Sequence, residues 1–202
     1  KHISYGTLND SDGNPFKTRD GGTKPLSELF QETYEYIKKF NNLLDESIIS
    51  QLTNSVLTYS DLITNRKTDY KFDLEKFTNV NGKTGIYVQY SQVRARKLLE
   101  NIEIKNNMVN HLNLNNIDKE LLSKLYLFSY FLEQSALLNE PHHLANYLYE
   151  ISNLFNQFYE SEKISEIDEL DYLSSKIYIT NLFLTTSQNV MLCLGIVPVS
   201  KM

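Results

Sequence analysis

The 202-residue sequence contains a single cysteine, Cys193. One thiol cannot form an internal disulfide, and the lack of paired cysteines fits a reducing compartment better than a secreted, disulfide-held scaffold. The residues after Lys1 also lack the succession of basic, apolar and small residues that marks a secretory signal. We therefore predict a cytoplasmic protein, and the absence of an initiating methionine suggests a truncated start.

Long apolar runs are missing as well. The most apolar stretch, residues 177–196, is interrupted by the polar residues Asn181, Thr185, Thr186, Ser187, Gln188 and Asn189. A helix that crosses a membrane needs about 20 mostly apolar residues in succession. We therefore predict a packed helix in this stretch and no membrane partner.

Basic residues are scarce overall, since the formal net charge is −5 at pH 7. This balance argues against a generic nucleic-acid binder, because phosphate binding normally requires a basic face. The charge is unevenly distributed: residues 64–105 hold nine Lys/Arg against five Asp/Glu, and residues 106–202 hold five against eleven. If RNA is bound, the middle segment is expected to hold phosphate and the last segment to recognise bases by stacking and hydrogen bonds.

Apolar residues recur at helical spacing through most of the chain. The spacing predicts helices over residues 26–44, 46–63, 86–104, 118–138, 141–160 and 166–194. Gly195 and Pro198 mark a stop after the last of them. Alternation at residues 3–5 predicts a strand, and the mixture of turn formers and isolated aromatics over residues 65–85 predicts an irregular segment.

These elements predict a mainly α fold. We expect a helical bundle over residues 106–202, a helical region over residues 25–105, and a short α/β segment over residues 1–24. The asparagine-rich, aperiodic stretch 106–116 is the candidate boundary between the two helical regions.

Metal chemistry has little support in the sequence. His142 and His143 are adjacent, so on a helix they are expected to point in different directions and to serve as surface or packing residues. Residues 10–21 imitate the start of a calcium loop, but Pro15 stands where glycine is needed and Gly21 where glutamate is needed. We predict no metal site, and we interpret Cys193 as a buried thiol.

The segment 12–22, which reads DGNPFKTRDGG, is the most informative loop. Its glycines let backbone N–H groups approach a phosphate, and Lys17 with Arg19 can neutralise charge on a triphosphate. On composition alone, an exposed turn is the stronger interpretation.

The same loop resembles the segment that replaces the KMSKS loop in arginyl-tRNA synthetases of class I, which often reads K-P-F-K-T-R followed by one residue and two glycines. Here Asn14 stands in place of the leading lysine. The resemblance implies that Lys17, Thr18 and Arg19 contact the phosphates of ATP, with Gly21 and Gly22 beside them. Residues 1–24 are then expected to be a remnant of the α/β catalytic domain.

A second match covers NRKTDYKFD at residues 65–73 and NGKTGIYVQYSQVRAR at residues 81–96. The latter is similar to the family stretch G-N-T-x-x-Y-x-Q-Y-x-x-x-R-x-x-S, with Lys83 in place of the asparagine and Lys97 in place of the final serine. We expect Gln89, Arg94 and Lys97 to share a helix face near Tyr90 and to contact tRNA, making residues 25–105 a stem-contact region. A solvated face over a core of tyrosines is the alternative.

A third match runs from Pro141 to Glu160 and again over the ending LGIVPVSKM, and it resembles the DALR-type anticodon-binding domain. The aromatics Phe155, Phe158 and Tyr159, with amides at Asn153 and Asn156, suit unstacked bases, although such a row by itself is more often core. With the resemblance we expect four residues to lie on the anticodon side, namely Asn153, Asn156, Tyr159 and Met202.

The resemblance implies a parent enzyme that joins arginine to its tRNA through an adenylate formed from Mg-bound ATP. No nucleotide-binding fold with a HIGH-type motif is present in the sequence, so we expect the chain alone to be inactive, monomeric and limited to binding tRNA for arginine. A fragment of a full synthetase is the favoured interpretation. A stand-alone tRNA-binding module and a helical protein without an RNA role are the alternatives.

Overall fold

The computed structural model describes residues 2–9, 25–40, 43–102 and 112–202. Within these ranges the prediction of a mainly α fold is confirmed. The described α-helices are α1 (Leu26–Phe40), α2 (Glu46–Leu62), α3 (Leu74–Phe77), α4 (Gly85–Glu100), α5 (Asn116–Leu125), α6 (Phe128–Leu138), α7 (His142–Ser161) and α8 (Leu170–Cys193), with a 3-10 turn at Ile164–Glu166. None of the helices in these ranges is long and apolar enough to cross a membrane.

The strand predicted at residues 3–5 was misplaced. The chain instead forms β1 at Leu8–Asn9, which pairs in parallel with β2 at Tyr70–Lys71. The partner strand lies inside the segment predicted to be irregular, and that segment also contains α3. A hydrogen bond from the Lys76 amide to the Asp73 carboxylate caps α3. Both elements are too short to produce a periodic signal in the sequence.

Two groups of buried apolar side chains hold the helices together. The first lies among α1 to α4 and includes Ile37, Ile49, Leu52, Val56, Phe77, Val93 and Val199. The second fills the bundle of α5, α7 and α8 and also takes in Tyr59 from α2 and Val88, Ala95 and Leu98 from α4. Helices α2 and α4 therefore pack on both sides. The division at residues 1–24, 25–105 and 106–202 stays a prediction, because most of the 106–116 stretch lies outside the described residues.

The helix predicted over residues 118–138 is two helices. The first of them, α5, begins earlier than predicted, at Asn116, because Asn115 and Asp118 form a reciprocal capping box there. Helix α5 ends at Leu125, where the buried Tyr147 hydroxyl lies 3.2 and 3.1 Å from the carbonyl oxygens of Lys124 and Leu125. Those contacts satisfy carbonyls left over at the helix end, and α6 then starts at Phe128.

The stop predicted after the last helix is confirmed. Gly195 has a positive φ of 75°, and the Ile196 amide donates back to the Met191 carbonyl over 2.8 Å. This backbone conformation favours glycine and turns the chain out of α8. Cys193, predicted to be buried, is exposed in the last turn of α8.

A buried charge network joins α5, α7 and α8. The Lys176 ammonium lies 2.6 Å from both the Asp118 and the Glu162 carboxylates, and the side chains of Lys176 and Asp118 are completely buried. The Tyr172 hydroxyl also donates to Glu162, over 2.5 Å. The ring centroids of Phe158 and Tyr172 lie 4.9 and 4.6 Å from the ammonium. The network therefore ties the start of α5 to the end of α7.

Acid is expected to weaken this network through Glu162. Burial opposes ionisation of its carboxyl group, but the hydrogen bonds from Lys176 and Tyr172 and the Lys176 charge outweigh burial and lower its pKa. A lowered pKa gives stability that is fully present above the unfolded value of about 4.3 and is lost as pH falls through the folded value. The difference in urea midpoint between the wild type and Glu162→Gln should be constant from neutral pH to about pH 5 and should shrink below about pH 4. A difference that is the same at pH 3 and pH 7 would contradict the assignment.

Candidate functional site

The candidate site lies along the seam between α4 and α7, where polar side chains bridge the two helices. The Lys83 ammonium donates to Asn146 over 2.7 Å, and the Tyr87 hydroxyl donates to Asn153 over 3.3 Å. The contacts advance in the same direction along both helices, so α4 and α7 run side by side. Thr84 caps the start of α4 through the Tyr87 amide, which fixes where the row begins.

Arg94 is the centre of the seam. Its guanidinium lies between two aromatic rings, 4.6 Å from the Tyr90 centroid and 4.7 Å from the Tyr159 centroid. It donates to the Tyr90 hydroxyl over 2.8 Å and to the carboxylate of Glu160 over 2.9 Å. The structure thus holds a planar cation between two tyrosines, with one edge at the surface.

Asn156 fixes Arg94 from below. Its side-chain carbonyl accepts from Arg94 over 2.9 Å, and its amide donates to the buried Ser91 hydroxyl over 2.9 Å. Asn156 is only 7% exposed, so it has little surface left for a ligand. We interpret it as the residue that positions Arg94, and its place on the anticodon side stays a prediction.

A cavity of about 890 Å³ opens beside Tyr90. Tyr90 and Met202 both line it, together with residues of α1 and α3, among them Tyr36, Phe40 and Lys76. Pockets of this size accommodate small molecules or single nucleotide units. Met202 therefore lines the same cavity as Tyr90, the residue that accepts a hydrogen bond from Arg94.

Gln89 does not share this face, contrary to the prediction. Its side chain is completely buried and donates to the Ser55 hydroxyl and the Val197 carbonyl, while it accepts from the Val199 amide. Five residues separate Gln89 from Arg94, which places them about 140° apart around a helix. Gln89 holds the chain end in place, and it is unavailable to a ligand.

The remaining predicted residues of the seam are accessible. Lys97 lies one turn beyond Arg94 and is exposed, and Asn153 is half-buried beside Tyr87. Phe155 and Phe158, in contrast, are completely buried, and Phe155 stacks on Phe183 at a centroid distance of 4.1 Å. They form core, as the alternative interpretation held.

Sequence reasoning missed several members of the seam. Lys83 lies 5.5 Å from the ring of Tyr149, and Tyr149 packs against Tyr87. Glu160 was not singled out either. Their spacing on the two helices, three or four residues apart and facing each other, was the available signal.

The predicted phosphate loop is residues 12–22. Lys17, Thr18, Arg19, Gly21 and Gly22 lie outside the described residues. Their roles in ATP binding stay predictions.

His142 and His143 come together, contrary to the argument from adjacency. Their ring centroids are 4.1 Å apart, and with Glu140 their ligand atoms lie within 4.8 Å of one another. The Glu140 carboxylate is already paired with the Lys67 ammonium at 3.1 Å, and the cluster lies at the positive end of α7. Burial, the neighbouring His143 and the Arg66 charge lower the pKa of His142. We interpret the cluster as a contact between α7 and the 65–67 loop.

Two family models match the chain. One, described as "DALR anticodon binding domain", covers residues 88–202. The other, described as "tRNA synthetases class I (R), catalytic domain", covers residues 1–74. The first range contains most of α4 and all of α7, so it includes both sides of the Arg94 seam.

Curated relatives agree with these matches. The arginine–tRNA ligase of Francisella tularensis subsp. novicida (strain U112) is 36% identical over 186 residues, which cover 88% of this chain and 32% of that protein. The arginine–tRNA ligase of Alkaliphilus oremlandii is 31% identical over 213 residues, which cover 100% of this chain and 36% of that protein. The chain thus spans about a third of the length of these relatives.

Solved structures show the same fold. The Thermus thermophilus arginyl-tRNA synthetase superposes on 100% of this chain with a TM-score of 0.83 at 19% identity, using 35% of its own length. The Plasmodium falciparum arginyl-tRNA synthetase gives 0.79 at 23% identity, again with 35% of its length. The chain belongs to the arginyl-tRNA synthetase family, of which it carries the DALR anticodon-binding domain and a segment of the class I catalytic domain.

Proposed function

We propose that this chain binds the anticodon side of the tRNA for arginine through the α4–α7 seam and the adjacent cavity. The observation that carries the proposal is the guanidinium of Arg94 between the rings of Tyr90 and Tyr159. Unpaired bases of RNA are recognised by stacking on aromatic or guanidinium planes and by hydrogen bonds to their edges. The seam offers both kinds of contact in one place.

The role of each residue follows from its exposure. Tyr90 is 41% exposed and offers a ring face at the mouth of the cavity, so it is suited to stack on a base. The half-buried Tyr159 presents its ring on the other side of Arg94. Asn153 offers an amide for a base edge, and Met202 provides an apolar wall for the cavity.

The charges on the seam support the same assignment. Arg94 and Lys97 lie on α4 and Lys83 lies just before it, on the side of Tyr87 and Tyr90, and Lys83 and Lys97 are exposed. A single strand bound across them would place its phosphates near these cations. The net charge of −5 for the whole chain is compatible with binding that depends on this one basic row.

In the parent enzyme, we propose that the tRNA held here is charged with arginine through an ATP-derived adenylate. The loop of Lys17, Thr18 and Arg19, with Gly21 and Gly22, would hold the phosphates of Mg-bound ATP. Because the chain spans about a third of its relatives' length, binding without ligation is the activity proposed for the chain itself. We propose a cytoplasmic, monomeric setting, as expected for this class of ligase.

Arg94→Ala should weaken binding of an arginine tRNA anticodon arm about tenfold to hundredfold. This range corresponds to one base losing its stacking and cation contacts, worth about 1–3 kcal/mol. Arg94→Lys should be nearly as weak, because an ammonium keeps the charge but cannot fill the flat space between two tyrosine rings. Fluorescence anisotropy with labelled RNA at two salt concentrations measures both variants.

The matched control is Lys119→Ala, which removes an exposed cation from α5, a helix that packs on α7 and α8. It should bind within about twofold of the wild type. An arm with a substituted anticodon should bind the wild type as weakly as the native arm binds Arg94→Ala. Equal losses for Arg94→Ala and Lys119→Ala, or equal affinity for both arms, would overturn the proposal.

A further inference from the structure

Helix α6 has an apolar surface that none of the described residues covers. It contains eleven residues with the sequence FSYFLEQSALL, of which Glu133 alone carries a charge at neutral pH, and none of the eleven is buried. Large apolar side chains at or next to this helix are exposed, notably Tyr126 (67%), Tyr130 (54%) and Leu137 (65%). A helix that is apolar around most of its circumference normally lies inside a protein. A contiguous exposed apolar patch marks an interaction site.

The other side of α6 packs against the bundle through two aromatic residues. Phe131 stacks on Tyr147 of α7 at a centroid distance of 4.7 Å, and Phe128 stacks on the same ring at 6.5 Å. Tyr130 and Leu137 lie seven residues apart on α6, so they form one stripe, and we include with it the exposed Tyr126 in the turn just before the helix. We call this stripe the α6 face.

RNA is a poor fit for the α6 face. The helix contains no lysine or arginine, and phosphate binding requires basic groups. The α6 face is also separate from the α4–α7 seam. Tyr147 contacts α6 whereas Tyr149 contacts Tyr87 of α4, and residues two positions apart in a helix point about 200° away from each other.

The position of the amino-terminal segment identifies a better occupant. Arg66 donates to the Asn139 carbonyl, at the end of α6, over 2.8 Å, and it also donates to the Ser4 carbonyl. Lys67 pairs with Glu140 beside them. Residues 2–9 thus lie next to the carboxyl end of α6. They belong to the range that matches the class I catalytic domain.

We infer that the α6 face is the docking surface for the nucleotide-binding body of the catalytic domain. This chain covers 32% of the length of the F. tularensis relative, and its own match to the class I catalytic domain is limited to residues 1–74. Packed against α6, the nucleotide-binding body would continue the contact that Arg66 and Lys67 already make between residues 2–9 and the end of the helix. The α6 face would then fix the orientation of the tRNA-binding seam relative to the site of ligation. The inference rests on family membership and packing, and it does not require the seam to bind RNA.

The test compares two proteins. One is the 202-residue chain by itself, and the other is the joined protein, a hybrid in which this chain replaces the matching third of the F. tularensis ligase. Hydroxyl-radical footprinting reads the accessibility of each tyrosine. Tyr126 and Tyr130 should become at least about threefold less reactive in the joined protein, because they leave contact with solvent. Tyr90, on the seam, and the buried Tyr59 should change little and serve as internal controls.

A second comparison places charges on the face. Tyr130→Lys combined with Leu137→Lys in the joined protein should return Tyr126 to its reactivity in the free chain, since unpaired ammonium groups are costly to bury. Leu192→Lys, a similarly exposed apolar position near the end of α8, should leave Tyr126 protected.

Three results would overturn the inference. The first is unchanged reactivity of Tyr126 and Tyr130 on joining. The second is protection that appears in the free chain as its concentration rises, which would assign the face to a second copy. The third is protection of the free chain by tRNA, which would assign the face to RNA. Protection of Tyr90 by tRNA is read separately, so failure of this inference and failure of the proposed function are distinguishable.

Discussion

Lys176→Met should destabilise the protein by about 3–5 kcal/mol, the usual cost of removing one partner from a buried ion pair. The side chains of Lys176 and Asp118 are both fully buried, with 2.6 Å between the ammonium and the carboxylate. Methionine fills a similar volume, so the main loss is electrostatic: among the described residues, the buried Asp118 carboxylate keeps only the backbone N–H of Asn115 as a hydrogen-bond donor. The shift of the urea unfolding midpoint, at an unchanged m-value, measures the loss of stability.

A double-mutant cycle separates charge from packing. Asp118→Asn retains a side-chain oxygen for the Asn115 amide, so Lys176→Met should cost clearly less in that background than in the wild type. Lys201→Met is the matched surface control. Lys201 pairs with Asp45 at 2.8 Å, but both side chains are more than half exposed, and such pairs contribute about 0–1 kcal/mol. Equal effects of Lys176→Met and Lys201→Met would contradict the role of the network.

Most helices could be predicted because their cause is local. The apolar spacing that predicts α1, α2, α4 and α7 is the same spacing that buries one side of each helix in the structure, and their bounds agree within a few residues. The boundary between α5 and α6 could not be predicted. At this boundary the last carbonyls of α5 contact the hydroxyl of Tyr147, more than twenty residues further along the chain, and no local pattern indicates that contact.

The same distinction applies to the candidate site. Arg94, Asn156 and Tyr159 were selected from separate motifs, and the structure places them in contact. Gln89 stands in the same motif as Arg94, yet it faces the opposite way, toward α2 and the chain end. A motif records which residues recur together, whereas burial depends on which helix packs against each side.

The burial of Lys176 could not be predicted from composition. Its stretch of α8 is rich in apolar and small polar residues, and a lone lysine there is normally expected to reach the surface. Burial became possible because two carboxylates and two aromatic rings surround its ammonium. Of these partners only Tyr172 is close to it in sequence.

Gln89→Leu should release the end of the chain and destabilise the fold by about 2–4 kcal/mol, since each buried polar group left without a partner costs about 1–3 kcal/mol. Leucine has nearly the same volume, but it can neither accept from the buried Val199 amide nor donate to the Val197 carbonyl and the Ser55 hydroxyl. Under the proposed function, Met202 would then lose its fixed place in the cavity beside Tyr90, so affinity for the anticodon arm should fall even where the protein remains folded.

Gln92→Leu separates this local effect from general loss of stability. Gln92 is equally buried, three residues further along α4, but its amide donates to the Leu184 carbonyl and the Ser187 hydroxyl of α8. Hydrogen exchange of the Val199 amide should accelerate far more in Gln89→Leu than in Gln92→Leu, since only the first loses the acceptor of that N–H group. If the two variants exchange Val199 at the same rate and bind RNA equally, the chain end is held by its apolar contacts with the α1–α4 cluster and Gln89 does not position it.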